Sequence, residues 1–501
     1  MEIELKRLIK NSTINISGNA FSKICRYFIA FLVIKVLGVN GYGHFALAMS
    51  IITIGTIFSS LGMHYGVSRF IPIYLGKQEI DKIKGTIHFC GKVVIISSLV
   101  ITVVIFISSN YLSNTLFNKP ESYLFIKLLV FTIPFTVIST FVTNVFKGFN
   151  VIKYKVITED VFVHLLRVIL LFACMILGLK ILGVIYSYIL TGVSGVVVGL
   201  YFMIKKLPKL FDKSIKTICD KREIISYSFP LFLNSFVVVL LSRIDILMLS
   251  YYLPSDHVGM YSLANRMATL VFFISASIFA VFSPTIAEFY GKGERDLIST
   301  YYQKISRWAL ILTIPVFLFI TIFSHELLKI FGLEFTGGKV PLIILATSFL
   351  LNSFFGFSGQ LLSVVGRSKL IFINSFIVCI MNYLLNLVLI PKYGIVGAAI
   401  ATGFSLFLLN TARMLEVYFL EHLSSLKLNL LGPISVGAIS GIIIIYSKYL
   451  LQPHLHFIYT ILLIGILVIV YLTLTLMIIL NEEEISILKS LSKSSKHYLG
   501  G

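Results

Sequence analysis

Asn15, Asn19, Ser22 and Arg26 fall at i, i+4, i+7 and i+11, which is one face of a helix, in a stretch that is otherwise apolar. Lys23 adjoins that stripe. Asp160, His164 and Arg167 fall at i, i+4 and i+7, with Glu159 beside them. Arg243 and Asp245 lie two apart and point away from each other, and Arg266 follows at a depth similar to Asp245. The deep charges are therefore Lys23, Arg26, Arg167, Arg243 and Arg266 against essentially Asp245. A cavity with that balance favours an anionic ligand, and arginine suits phosphate because it offers two parallel hydrogen bonds. Structural roles compete with this reading. Lys23 and Arg26 can snorkel or pair with carboxylates of another segment, Asp160 can balance local cations, and Asp245 can pair with Arg266. Arg413 and Glu416, at i and i+3, are expected to form a local ion pair.

Other chemistries lack their residues. There is no Gly-x-x-x-x-Gly-Lys-Ser/Thr phosphate loop, no His-Glu-x-x-His zinc motif and no nucleophile–histidine–carboxylate set. Cys25, Cys90, Cys174, Cys219 and Cys379 are far apart, with no Cys-x-x-Cys pair, so neither a metal site nor a disulfide framework is indicated. The expectation is a protein that is not an enzyme and takes no cofactor. The net charge of +20 sits in short loops rather than on a foldable basic domain, which argues against nucleic acid.

The elements that carry these residues are membrane spans. Of the 501 residues 57% are hydrophobic and 13% charged, where soluble domains carry about 25% charged residues. About 20 apolar residues cross a bilayer. By that ruler spans lie near 14–38, 42–66, 88–109, 123–146, 158–178, 181–204, 226–250, 258–282, 305–327, 340–365, 369–391, 394–420, 428–450 and 456–480. The fold class is all-α and polytopic, with about fourteen transmembrane helices. Two near-contiguous joints carry turn signals, Gly178-Leu179-Lys180 and Pro391-Lys392-Tyr393-Gly394. Alternate loops are basic: Lys6, Arg7 and Lys10; Arg69, Lys77, Lys82 and Lys84; Lys147, Lys153 and Lys155; Lys205 through Arg222; Lys292 through Arg307; Arg367 and Lys369; and the tail Lys489, Lys493 and Lys496. The other side holds only Lys119, Lys180, Lys329, Lys339, Lys392 and Lys448. Positive loops face the cytoplasm, which places both termini there, in the cell membrane.

A repeat runs through this pattern. Tyr42-Gly43-His44-Phe45-Ala46-Leu47-Ala48 parallels Val258-Gly259-Met260-Tyr261-Ser262-Leu263-Ala264 at an offset of 216, and Pro72 with Gly76-Lys77 parallels Pro284 with Gly291-Lys292. The expected organisation is an N-lobe at 1–204, a basic cytoplasmic linker at 205–225, a C-lobe at 226–420, two extra spans at 421–480 and a cytoplasmic tail at 481–501. An even number of spans per copy relates the halves by an axis along the membrane normal, a transporter layout. The linker reads as a tether or as a segment that docks on anionic headgroups of membrane lipids.

Several segments together resemble the Wzx-type polysaccharide (oligosaccharide-repeat-unit) flippases of the multidrug/oligosaccharidyl-lipid/polysaccharide exporter superfamily. They are Gly41 through Ala48; Ser228-Phe229-Pro230-Leu231 leading to Arg243 through Leu249; Val258 through Ala264; Phe282-Ser283-Pro284; Gly366 through Lys369; and Asn386 through Ala401. The resemblance implies two six-helix lobes around a cationic central cavity. It also implies alternating access that moves a polyprenyl-(di)phosphate-linked oligosaccharide to the outer leaflet. Related lipid II flippases place arginines of the first and eighth spans against a diphosphate, where Arg26 and Arg266 fall here. The expected substrate site is therefore Lys23, Arg26, Arg167 and Arg266, with Asn19, Arg243, Asp245 and His164 in support. The resemblance further implies coupling to Na+, H+ or the membrane potential, with a polysaccharide polymerase or glycosyltransferases as pathway partners. A cation-coupled drug exporter and a non-transporting scaffold of envelope or spore-wall assembly are the competing readings; the first needs deep carboxylates, which are scarce here.

Overall fold

The computed structural model describes residues 2–212, 214–355, 358–423, 430–451 and 457–475. The tail expected at 481–501, the joint between the last two expected spans and the end of the last one lie outside them. Among the described residues every regular element is helical. In lipid, a helix satisfies its backbone N–H and C=O groups within one segment, which is what apolar runs of this length require. Eight described helices are long and apolar enough to cross a membrane, and two bent pairs raise that to ten. Two of the helices each hold a pair of expected spans in one bent element. The chain is a multi-pass membrane protein, and it divides into two compact units, Met1–Ser262 and Leu263–Gly501.

The first unit opens with α1 (Glu2–Ser60), 59 residues bent at Gly38, where φ is 67°. That left-handed backbone is open to glycine at little cost, and it falls at the last residue of the first expected span. Then come α2 (Met63–Gly76), α3 (Ile80–Asn110), α4 (Ser122–Leu129) and α5 (Thr132–Gly148). A short α6 (Ile152–Lys155) runs through a π-helical turn at Val156–Phe162 into α7 (Val163–Ile176). The turn at Gly178 and Lys180, both with positive φ, folds α8 (Lys180–Lys206) back on α7. The unit also holds α9 (Lys221–Tyr252) and the start of α10 (Ser255–Lys292).

The start of α10 is fastened by a polar cluster. Buried His44 meets Ser122 Oγ at 2.6 Å and Ser255 Oγ at 3.3 Å through Nδ1, and Glu121 Oε2 at 2.9 Å through Nε2. Lys119 Nζ donates to the Leu253 carbonyl at 2.7 Å.

The second unit holds the rest of α10, α11 (Arg295–Ile322), α12 (Ser324–Phe331), α13 (Lys339–Phe354), α14 (Ser358–Val364) and α15 (Ser368–Glu421). The 54-residue α15 is bent at Gly394 (φ 57°), at the joint expected between the eleventh and twelfth spans. Its two arms face each other: Arg367 Nε donates to Glu421 at 3.1 Å and Asn382 to Ser405 at 3.2 Å. The expected Arg413–Glu416 pair is an electrostatic contact, with no direct salt bridge between them among the described residues. Arg413 donates to Ser375 at 3.0 Å and Glu416 accepts from Asn374 at 2.8 Å, because the facing arm brings partners nearer than a neighbour along the same helix. Finally α16 (Leu431–Leu451) and α17 (Phe457–Leu474) pack on α11. Tyr471 donates to the Ile311 carbonyl at 2.8 Å, and Lys448 pairs with Glu326 at 2.9 Å.

Candidate functional site

The polar stripe of α1 passes from packed to open along the helix. Asn15 and Asn19 are half-buried, Ser22 is buried and donates to the Asn19 carbonyl at 3.1 Å, Lys23 is half-buried and Arg26 is exposed. Arg26 Nε donates to His164 Nε2 at 3.0 Å. An arginine can only donate, so Nε2 of His164 carries no proton. The proton is then on Nδ1, which donates to the Glu159 carbonyl at 3.0 Å. His164 is thus a neutral imidazole that orients the guanidinium of Arg26.

The π turn makes this arrangement. Glu159 and His164 are five residues apart, as are Lys155 and Asp160, a spacing that a π turn brings together and an ordinary helical turn does not. Lys155 Nζ and Asp160 Oδ2 sit 2.6 Å apart, both buried. Asp160 thus does balance a local cation, and that cation is Lys155.

One turn further along α7, half-buried Arg167 donates to Thr191 Oγ1 from Nε at 3.0 Å and from Nη2 at 2.9 Å. Its guanidinium lies over the Tyr188 ring, 4.1 Å from the centroid. Thr191 passes its own proton to the Ser187 carbonyl at 2.8 Å, which leaves its oxygen turned to the arginine. Arg26 and Arg167 both act electrostatically on His164.

The first unit therefore brings Lys23, Arg26, His164 and Arg167 into one neighbourhood, with Asn19 on the same helix. Asp245, buried on α9, accepts from Tyr261 Oη at 2.6 Å, and Arg243 is half-buried on the same helix. Arg266 belongs to the second unit, half-buried on α10, where Thr269 donates to its carbonyl at 2.6 Å. Thr191, Tyr188 and Lys155 are participants that the sequence reading missed. No group of three or more His, Cys, Asp or Glu residues capable of holding a metal ion occurs among the described residues.

Residues 8–290, more than half the chain, match the family described as polysaccharide biosynthesis protein, and residues 230–388 match the MatE family. An uncharacterized membrane protein of Methanocaldococcus jannaschii, MJ1068, is 24% identical over 419 residues, 79% of this chain and 81% of that protein. The probable low-salt glycan biosynthesis flippase Agl15 of Haloferax volcanii is 31% identical over 252 residues, about half of each chain. Among solved structures, the inward closed lipid II flippase MurJ aligns with a TM-score of 0.72 at 16% identity, covering 92% of this chain and 98% of that one. An inward-facing multidrug resistance MATE transporter aligns with a TM-score of 0.64 at 17% identity, covering 77% and 92%. Agl15 and MurJ carry the name of flippases, and the MATE protein that of a transporter. The chain belongs to the polysaccharide biosynthesis protein family.

Proposed function

We propose that the chain carries a polyprenyl-(di)phosphate-linked oligosaccharide from the cytoplasmic to the outer leaflet of the cell membrane by alternating access, for surface polysaccharide or glycan assembly. In this reading both termini are cytoplasmic, and an Na+ or H+ gradient or the membrane potential supplies the energy.

The observation that carries the proposal is the way two arginines of the expected spans are held. The groups that position Arg26 Nε and Arg167 are a neutral imidazole, a hydroxyl and a phenol ring, and the nearby carboxylate of Asp160 is taken by Lys155. A phosphate is an anion that accepts two parallel bonds from a guanidinium, which both arginines can offer. The lipid tail stays in the bilayer, so only the phosphate and sugars need a polar path.

The match to a glycan biosynthesis flippase supports the substrate class, and the MatE match over residues 230–388 favours the drug-exporter alternative. Purified protein in liposomes separates them. Leaflet-selective detection of a lipid-linked oligosaccharide should report flipping, with no gradient-driven uptake of a cationic dye. The opposite pair of results establishes the exporter reading.

A further inference from the structure

A second feature of the first unit lies on other elements, away from α7 and α8. A cleft of about 590 Å³ runs along α3, walled by Phe58 of α1, by Leu61 in the turn after it and by Phe89, Ile96 and Val100 of α3. From Lys92 to Ile101 it follows ten residues of helix, about 14 Å of axis. Its open side faces outward: Ile96 and Val100 are more than half exposed, and Leu99, Val103 and Ile107 continue that apolar face. In a membrane-spanning helix such a face meets lipid.

One end of the cleft is cationic. Lys92 on α3 and Lys221 at the start of α9 both line it and both are exposed. Among the described residues neither is ion-paired. Lys221 Nζ lies 5.9 Å from the centroid of the Phe89 ring, which holds the ammonium at the mouth. The basic linker docks at the same end, where Ile218 N–H donates to the Asp81 carbonyl at 3.3 Å and Lys84 Nζ to the Ile215 carbonyl at 3.1 Å. Exposed Lys216 and Arg222 flank the mouth in sequence.

We propose that this cleft binds an anionic phospholipid of the surrounding membrane, with one acyl chain along α3 and its phosphate held by Lys92 and Lys221. Three features select that occupant. Its open side is the exposed apolar face of a helix long and apolar enough to cross a membrane, and such a face meets hydrocarbon rather than water. Its charge sits at one end, where a headgroup would be, and ammonium groups near a membrane surface attract anionic lipid. Its walls have nothing with which to read a sugar: Ser97 is the one hydroxyl among the described lining residues, and it is spent on the carbonyls of Ser59 and Val93. The site goes beyond the flippase reading and does not depend on it.

The test uses the full chain in nanodiscs containing a phosphatidylglycerol with a photoreactive group near the end of one acyl chain. Crosslinked peptides are mapped by mass spectrometry. The peptide holding Phe89 to Ile101 should be labelled at least about fivefold above the exposed apolar face of α16, which reports bulk lipid. Unlabelled phosphatidylglycerol should compete and phosphatidylcholine should not. Lys92→Gln with Lys221→Gln should bring the labelling down to the α16 level. Both lysines are exposed, so the fold should survive, as gel filtration and the thermal midpoint would verify. Val100→Trp, which fills the cleft and keeps both charges, should do the same. Labelling equal to α16, labelling indifferent to the two lysines, or competition by phosphatidylcholine would each overturn the proposal. So would displacement by a polyprenyl phosphate but not by phosphatidylglycerol, which would make the cleft a seat for the substrate's carrier.

Discussion

Gly43 and Gly259, equivalent positions of the repeat, each press against the backbone of the other's helix. A Cβ on Gly43 would overlap the carbonyl oxygen of Ser255, and one on Gly259 would overlap that of Val39. Ser255 lies 216 residues after Val39, the same offset that separates the two glycines. A contact that maps onto itself when its members are exchanged is the mark of a local two-fold relation. Small residues allow such close backbone approach between membrane helices. This contact accounts for the most visible part of the repeat: the glycines are where two helices meet without room for a side chain.

Gly43→Ala and Gly259→Ala should each destabilise the protein by about 1–3 kcal/mol through overpacking. The double variant should cost less than the sum, because one displacement of the helices relieves both clashes. Unfolding in detergent measures this. Full additivity would show that the two glycines do not share one contact.

Lys155 and Asp160 form a buried pair at 2.6 Å. Asp160→Leu alone or Lys155→Met alone strands a charge and should cost about 3–5 kcal/mol. The double variant should recover most of that loss in the same unfolding assay. If the double variant is as unstable as the worse single one, the pair has a role beyond mutual neutralisation.

Thr191 accepts both bonds from Arg167, so Thr191→Val removes the acceptor and keeps the shape. A hydrogen bond to a charged group contributes about 1.5–3 kcal/mol. If Arg167 must be held in position to meet substrate, flipping should fall by about tenfold or more with the unfolding midpoint little changed. Tyr188→Leu, which removes a cation–π contact, should give a smaller loss. Unchanged flipping in both variants would exclude Arg167 from the site.

The proposed orientation rests on the alternating basic loops. In a background lacking the five native cysteines, single cysteines at Asp256 and Lys392 should react with an impermeant thiol reagent from outside. Those at Lys216 and Lys292 should react only after permeabilisation. None of these four positions is buried, so failure to label reflects sidedness. The inverse pattern would reverse the topology.

Much of the fold was legible because lipid forces its pattern onto the sequence. The joints at Gly38, Gly178–Lys180 and Gly394 all stand where apolar runs met turn residues. The stripe ending at Arg26 was legible for the same reason, being a polar face in an apolar helix. Two kinds of partner were hidden. Lys155–Asp160 and Glu159–His164 depend on a π turn, and spacing judged at 3.6 residues per turn places them on different faces. Thr191 is a partner across a hairpin: it and Arg167 each lie twelve residues from Leu179 at the turn. The same symmetry about Gly394 pairs Arg367 with Glu421 and Arg413 with Ser375. Counting equal distances from a turn would have found them, whereas reading along one helix found only the electrostatic contact of Arg413 with Glu416.

The central claim is that Arg26, held by neutral His164, binds the substrate phosphate. The most direct measurement is leaflet-resolved flipping of a lipid-linked oligosaccharide in proteoliposomes, comparing wild type, Arg26→Ala and Arg26→Lys at matched protein density. Arg26→Ala should lower the rate by about a hundredfold or more, since a bidentate charged contact is lost, while expression and thermal midpoint stay near wild type. Arg26→Lys should recover part of the rate, because the charge remains and the two-point geometry does not. Wild-type flipping by Arg26→Ala would contradict the account.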